Sequence, residues 1–273
     1  MRIALVDNGS LEAAAHESLR AAAEAIGSRC GLPVDAVSWK HSDRIPAGLL
    51  AGGPAVTLGS WVRSQAARGE RELLVIPFFI SAQGAIGSSL RRDLEALRDE
   101  VGGFDLSFTE SLGAGTVLAD IVADRVRSAA AALGATRVPV VVVDHGGPSE
   151  ASAAVRNRVA DAVRAALGGL AERVVAASME MPEGPGFDFN RPLLGDLLGS
   201  PGYDRGDVVI APLFLSPGRH AGPGGDLHQI AAEAAARSPA LRCHFTELVG
   251  SHPLAIHTLA RALTRALRVP SPS

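Results

Sequence analysis

A chain of 273 residues, 47% of them hydrophobic and 20% charged, can bury two medium cores or one large one, which excludes a disordered polyelectrolyte. Its formal net charge of -3 gives no global attraction to nucleic acid or to an anionic membrane, so an anionic partner must be met by local arginines. Only two cysteines occur, Cys30 and Cys243, far apart and outside any CxxC pair; this excludes a disulfide framework and a thiolate zinc site and suits a reducing cytoplasm.

The amino terminus, Met1 to Asp7, lacks the apolar core of a signal peptide, and no apolar run is long enough to span a bilayer, so a cytoplasmic protein without a membrane partner is expected. Strand-like and Ala-rich helical segments alternate from end to end, the pattern of parallel sheets covered by helices. Strand Arg2 to Val6 runs into Asp7-Asn8-Gly9-Ser10 and a helix over Leu11 to Arg29. Strand Val34 to Trp39 leads into a Pro/Gly-rich connection, then helix Val56 to Ala67 and strand Glu72 to Phe79. Helix Ser88 to Glu100, strand Asp105 to Thr109 and helix Val117 to Leu133 complete a first half.

The second half opens at Val138. Val140 to Val143 are four consecutive β-branched residues, typical of a strand buried on both faces, and Asp144, His145, Gly146 and Gly147 follow at its carboxyl end. In helix Ser149 to Leu167, Val155, Val159, Val163 and Leu167 form one apolar stripe; Arg156, Arg158 and Arg164 fall off it and read as a solvated face. Strand Arg173 to Ser178, a short helix near Leu193 to Leu198, strand Asp207 to Leu215, helix Leu227 to Ala236, strand Leu241 to Thr246 and helix Pro253 to Leu267 follow. Pro270 to Ser273 are expected to fray.

The halves repeat one another. Val6-Asp7-Asn8-Gly9 matches Val143-Asp144-His145-Gly146, and Phe108-Thr109-Glu110 matches Phe245-Thr246-Glu247, both at an offset of 137; Pro77 to Ser81 matches Pro212 to Ser216 at an offset of 135. An α/β protein of two similar open parallel-sheet domains, residues 1–136 and 137–273, with a cleft between them, is therefore expected. The repeat is unequal at its strand ends. Where the second half carries His145, His220 and His252, the first carries Asn8, Ala85 and Gly115. A requirement of the fold acts on both copies, so loss from one points to chemistry in the other.

His145, His220 and His252 each follow a predicted strand of the second half, as does Glu180. Imidazoles with one carboxylate suit a borderline divalent ion such as Fe2+, Co2+, Ni2+ or Zn2+, whereas Mg2+ and Ca2+ need more oxygen ligands. Taken singly, a histidine after a strand is more often a hydrogen-bonding loop residue than a ligand, and Glu180 alone reads as a cap or surface acid; Met179 and Met181 read as core filling. His228, His244 and His257 fall inside elements and read as structural. The glycine-rich turn from Gly218 to Asp226 lacks the GxxxxGK[ST] pattern, so no nucleotide is expected, and no Gly-x-Ser-x-Gly elbow marks a serine hydrolase.

Val-Asp-His-Gly-Gly after the first strand of this half, Ser-Met-Glu-Met-Pro after the second, Pro-Leu-Phe-Leu-Ser-Pro-Gly-Arg-His after the third and Val-Gly-Ser-His-Pro after the fourth resemble the sirohydrochlorin chelatase family of class II chelatases. The resemblance covers the second half and extends to the first as a degenerate copy. It implies a pair of α/β domains around a tetrapyrrole, either a monomer with an internal pseudo-dimer or a homodimer. It further implies ATP-independent insertion of Co2+ or Fe2+, or Ni2+, into sirohydrochlorin or a relative, in cobalamin or sirohaem synthesis. By the same resemblance His145 and His220 take the metal, Glu180 is carboxylate ligand or proton acceptor, and Arg219, Arg191 and His252 face the carboxylate-rich tetrapyrrole. A carrier of metal or tetrapyrrole that does not turn over is the alternative. The resemblance departs in three respects: His145 is followed by Gly-Gly-Pro where family members often have Gly-Ser, the spacing from His220 to Asp226 is longer than expected, and in two-domain relatives the histidines are expected in the first half.

Overall fold

The structure, a computed structural model, describes residues 1–80 and 85–268. Ser81, at the end of one repeat match, and the tail expected to fray, Pro270 to Ser273, lie outside the described residues.

The alternation of strand and helix holds throughout. The first half folds as β1 (Arg2–Asp7), α1 (Ala13–Cys30), β2 (Asp35–Ser38), α2 (Leu58–Ala67), β3 (Glu72–Pro77), α3 (Ala85–Glu100), β4 (Asp105–Phe108) and α4 (Val117–Ala132). The second follows as β5 (Val138–Asp144), α5 (Glu150–Leu167), β6 (Ala171–Ser178), α6 (Leu194–Leu197), β7 (Gly206–Pro212), α7 (Asp226–Arg237), β8 (Leu241–Phe245) and α8 (Pro253–Ala266). β7 stops short of the expected Leu215. Beyond Pro212 the chain turns away from the ladder after one last bond, from the Leu213 amide to the Val143 carbonyl at 2.7 Å.

Each half builds one four-stranded, all-parallel sheet, in the orders β2-β1-β3-β4 and β6-β5-β7-β8. Val140 to Val143 are fully buried, as a strand covered on both faces requires. One core packs Val141, Val143, Leu194, Ile210 and Leu227; the other packs Val6, Val37, Trp61, Val75 and Leu94. On α5 the stripe Val155, Val159, Val163 and Leu167 is buried, and the helix starts on a Ser149 hydroxyl that accepts the Ser152 amide at 3.3 Å. Arg158 and Arg164 are exposed as expected, but Arg156 is not: it is 1% exposed. Polar groups gathered at the ends of β5 and β6 draw its guanidinium inward.

The chain divides into two compact units that cross the repeat boundary. One comprises Met1–Ala114, Leu215–Arg219 and Gly250–Ser273; the other comprises Gly115–Phe214 and His220–Val249. The first unit therefore holds the β1 to β4 sheet with α8, which packs on α1, and the second holds the β5 to β8 sheet with α4, which packs on α5 and β7. No described helix is long and apolar enough to cross a membrane.

Candidate metal-binding site

In an open parallel sheet, ligands settle at the carboxyl ends of strands, where the strand order reverses. In the second unit that point lies between β5 and β7, the strands whose following loops carry His145 and His220, and Glu180 follows β6 on the other side of β5. The pairing of β5 with β6 continues past both strands. The Met179 amide donates to the Asp144 carbonyl at 2.8 Å and the Glu180 amide to the His145 carbonyl at 3.1 Å. Gly146 makes this crossing possible: its φ is +86°, and a Cβ there would lie 1.8 Å from the Glu180 carbonyl oxygen.

The side chains meet in front of this crossing. His145 Nε2 lies 3.6 Å from Glu180 Oε1, and the His145 and His220 rings stand edge to face with centroids 4.6 Å apart. His145 Nδ1 lies 3.1 Å from the Gly146 carbonyl oxygen and His220 Nδ1 lies 2.6 Å from Asp226 Oδ2. Both partners are acceptors, so Nδ1 is the donor in each ring, and in the neutral imidazole the lone pair then lies on Nε2. The side chains of His145, Glu180 and His220 are 42%, 60% and 35% exposed, open to a ligand from solvent. Among the described residues no group of three or more His, Cys, Asp or Glu stands at metal-binding spacing.

From the sequence Asp226 marks only the end of the glycine-rich turn and has no role of its own. Its signal was an acidic residue in the first turn of a helix, six positions after a histidine, and it is the carboxylate that fixes the His220 tautomer. Arg191 pairs with Asp188 at 3.2 Å and Asp196 at 3.7 Å, and Arg219 is exposed. His252 is buried and caps α8, its Nδ1 accepting the Leu254 amide at 3.1 Å. The three histidines read as structural have partners of their own. His228 stacks on Phe245 at 4.2 Å, His244 bonds Asp207 at 2.8 Å, and His257 bonds Arg29 at 3.0 Å.

The first unit repeats the crossing with other side chains. The Trp39 amide donates to the Asp7 carbonyl at 2.8 Å and the Lys40 amide to the Asn8 carbonyl at 3.2 Å; a Cβ on Gly9 would lie 1.8 Å from the Lys40 carbonyl oxygen. Asn8 and Lys40 thus stand where the second unit has His145 and Glu180. The Lys40 ammonium pairs with Asp93 at 3.3 Å and lies over the Trp39 ring, a cation where the second unit has a carboxylate.

Fold and strand-end residues together define a two-domain α/β protein of the chelatase type. The CbiX family model matches residues 2–129 and 139–266, one repeat in each half, and the chain belongs to that family. Among solved structures it is similar to SirB from Bacillus subtilis with Fe3+, with a TM-score of 0.66 and 14% identity over 98% of this chain and 96% of that one. It is also similar to the sirohydrochlorin chelatase SirB from Bacillus subtilis subspecies spizizenii in complex with cobalt (TM-score 0.66, 14% identity, 97% of this chain and 95% of that one). CbiX, the terminal enzyme for biosynthesis of sirohaem in denitrifying bacteria, matches with a TM-score of 0.63 and 16% identity over 97% of this chain and 99% of that one. At these identities the likeness is one of fold. No curated protein matches the sequence.

Proposed function

We propose that this chain inserts a divalent metal, Co2+ or Fe2+ or else Ni2+, into sirohydrochlorin or a related tetrapyrrole, without a nucleotide, in cobalamin or sirohaem synthesis. One observation carries the reading: two imidazoles whose Nδ1 atoms face acceptors stand edge to face, 4.6 Å between centroids, and the Nε2 of His145 lies 3.6 Å from the exposed Glu180 carboxylate. Membership of the CbiX family and the metal-bearing SirB structures support it. The functional division follows the repeats, with 137–273 handling the metal and 1–136 a degenerate copy.

Insertion takes one hydrated M2+ and a macrocycle with two pyrrole N–H groups, and yields the metallated macrocycle and two protons. His145 and His220 exchange water for imidazole nitrogen on the incoming ion, which holds it while remaining waters are shed. Glu180 is the group placed to ligate the ion and then accept a pyrrole proton, since it is exposed and adjoins His145 Nε2. Arg219 and Arg191 serve the acidic side chains of the macrocycle through paired hydrogen bonds, whereas His252, buried as the cap of α8, supports the fold instead. The test is incubation with sirohydrochlorin and Co2+ or Fe2+, following the macrocycle absorption. The expected outcome is a rate well above the metal-only control that His145→Ala and His220→Ala abolish. Tight metal binding with no rate above that control would replace the enzyme with a carrier.

A further inference from the structure

Arg156 is a charged side chain that the proposed chemistry does not use and that burial should penalise. A guanidinium at 1% exposure is tolerated only when its donors are matched. Its Nη1 donates to Asp144 Oδ1 at 3.3 Å and to Ser178 Oγ; Nη2 donates to the Phe189 carbonyl at 2.8 Å; Nε and Nη2 both reach Asn157 Oδ1, at 3.0 and 2.9 Å. Ser178 Oγ in turn donates to Asp144 Oδ1 at 2.7 Å. Asn190, next to Phe189, accepts the Gly147 amide at 3.1 Å and donates to the Gly147 carbonyl at 3.0 Å. One cation therefore ties together three segments: 144–147, which carries His145; 178–180, which carries Glu180; and the turn at 187–190.

The first unit provides an internal control. Asp7 and Ser38 are register partners at the ends of β1 and β2 as Asp144 and Ser178 are at the ends of β5 and β6, and the Gly9 crossing repeats that at Gly146. Yet the position matching Arg156 at the repeat offset is Leu19, wholly buried, and it is His16 Nδ1 that lies 3.3 Å from Ser38 Oγ. The same backbone crossing thus forms without an arginine in the copy that carries Asn8 and Lys40. The buried guanidinium accompanies the metal-binding side chains rather than the fold.

We infer that Arg156 is a positioning residue that sets the separation of His145 and Glu180 by clamping the ends of β5 and β6 and the 187–190 turn, and so tunes the affinity of the site for a divalent cation. The inference rests on the proposed role of His145 and Glu180. Its cost in buried charge is met by five donors in a rigid fork, which lysine cannot reproduce.

The test is titration of the full chain with Co2+, read from the cobalt d–d absorption bands. Arg156→Met is expected to bind Co2+ at least tenfold more weakly than the parent, and Arg156→Lys to restore part of the loss with shifted bands. Val159→Ala, which thins the buried face of the same helix, lowers thermal stability and leaves Co2+ affinity unchanged. Should Arg156→Met fail to fold, a folded Arg156→Lys decides. Parental affinity and bands in either folded Arg156 variant overturn the inference, and so does a loss of equal size in Val159→Ala. His145→Ala separates this from the reading beneath it: if the parent and His145→Ala bind Co2+ alike, the metal site itself falls and the inference with it.

Discussion

The carbonyl oxygen of Glu180 fills the space where a side chain on residue 146 would begin, 1.8 Å from the place of a Cβ. Gly146→Ala forces that strand-end crossing apart and strains a φ of +86°, at a cost of about 1–3 kcal/mol. Because the displaced atoms belong to Glu180 and adjoin His145, Co2+ affinity should fall together with the melting temperature. Calorimetric titration and thermal denaturation of the same preparation check both.

Asp226 lies 2.6 Å from His220 Nδ1, and in the proposed site this contact leaves Nε2 to face the ion. Removing an outer partner of this kind weakens metal binding roughly 10–100-fold. Asp226→Ala should lose affinity within that range while keeping its circular dichroism spectrum. Undiminished Co2+ binding would show that His220 needs no such support.

Asp7, whose carboxyl titrates at 3.8 when solvated, is pushed up to about 6 chiefly by burial, against the hydrogen bonds from Ser38 and the Gly9 amide. The folded state therefore holds this proton more tightly than the unfolded chain. The benefit is complete below pH 4, is lost as pH rises from 4 to 6, and stays lost above. Asp7→Asn removes that loss while its side-chain oxygen can still accept from Gly9. The variant should melt a few degrees above the parent at pH 7–8, with the gain vanishing towards pH 4. A constant difference across a pH series of melting curves would assign the effect to something other than this carboxyl.

Burial pushes the Cys243 thiol up to about 11. In a Cys30→Ser background it should react slowly with a disulfide reagent at pH 8 and rapidly once the protein is denatured. Fast labelling of the native form would contradict the burial of this thiol.

The sheets were legible in the sequence because buried parallel strands read as unbroken runs such as Val140 to Val143, and the duplication because Asp7 and Asp144 end matching strands. That His145 and Glu180 stand at the carboxyl edge of the sheet was legible for the same reason, since a polar residue soon after such a run falls on that edge, and His220 follows in the loop after β7. Arg156 was misread, since helical spacing gives the direction in which a side chain leaves its helix but not what waits there. Its partners, Asp144, Ser178 and Phe189, come from separate segments of chain. The placement of α4 and α8 was hidden for a related reason, because the apolar stripe of a helix says that it needs a cover and not which sheet provides it.

That placement bears on how the protein is made. The β1 to β4 sheet is complete in sequence by Phe108, but the helix that packs on α1 in the same unit begins only at Pro253. A chain growing from its amino terminus leaves that flank of α1 bare through synthesis of the whole second sheet, while α4 is made before the strands it will cover. On the ribosome the second unit can therefore close before the first, and the half that emerges earliest is the last to finish folding.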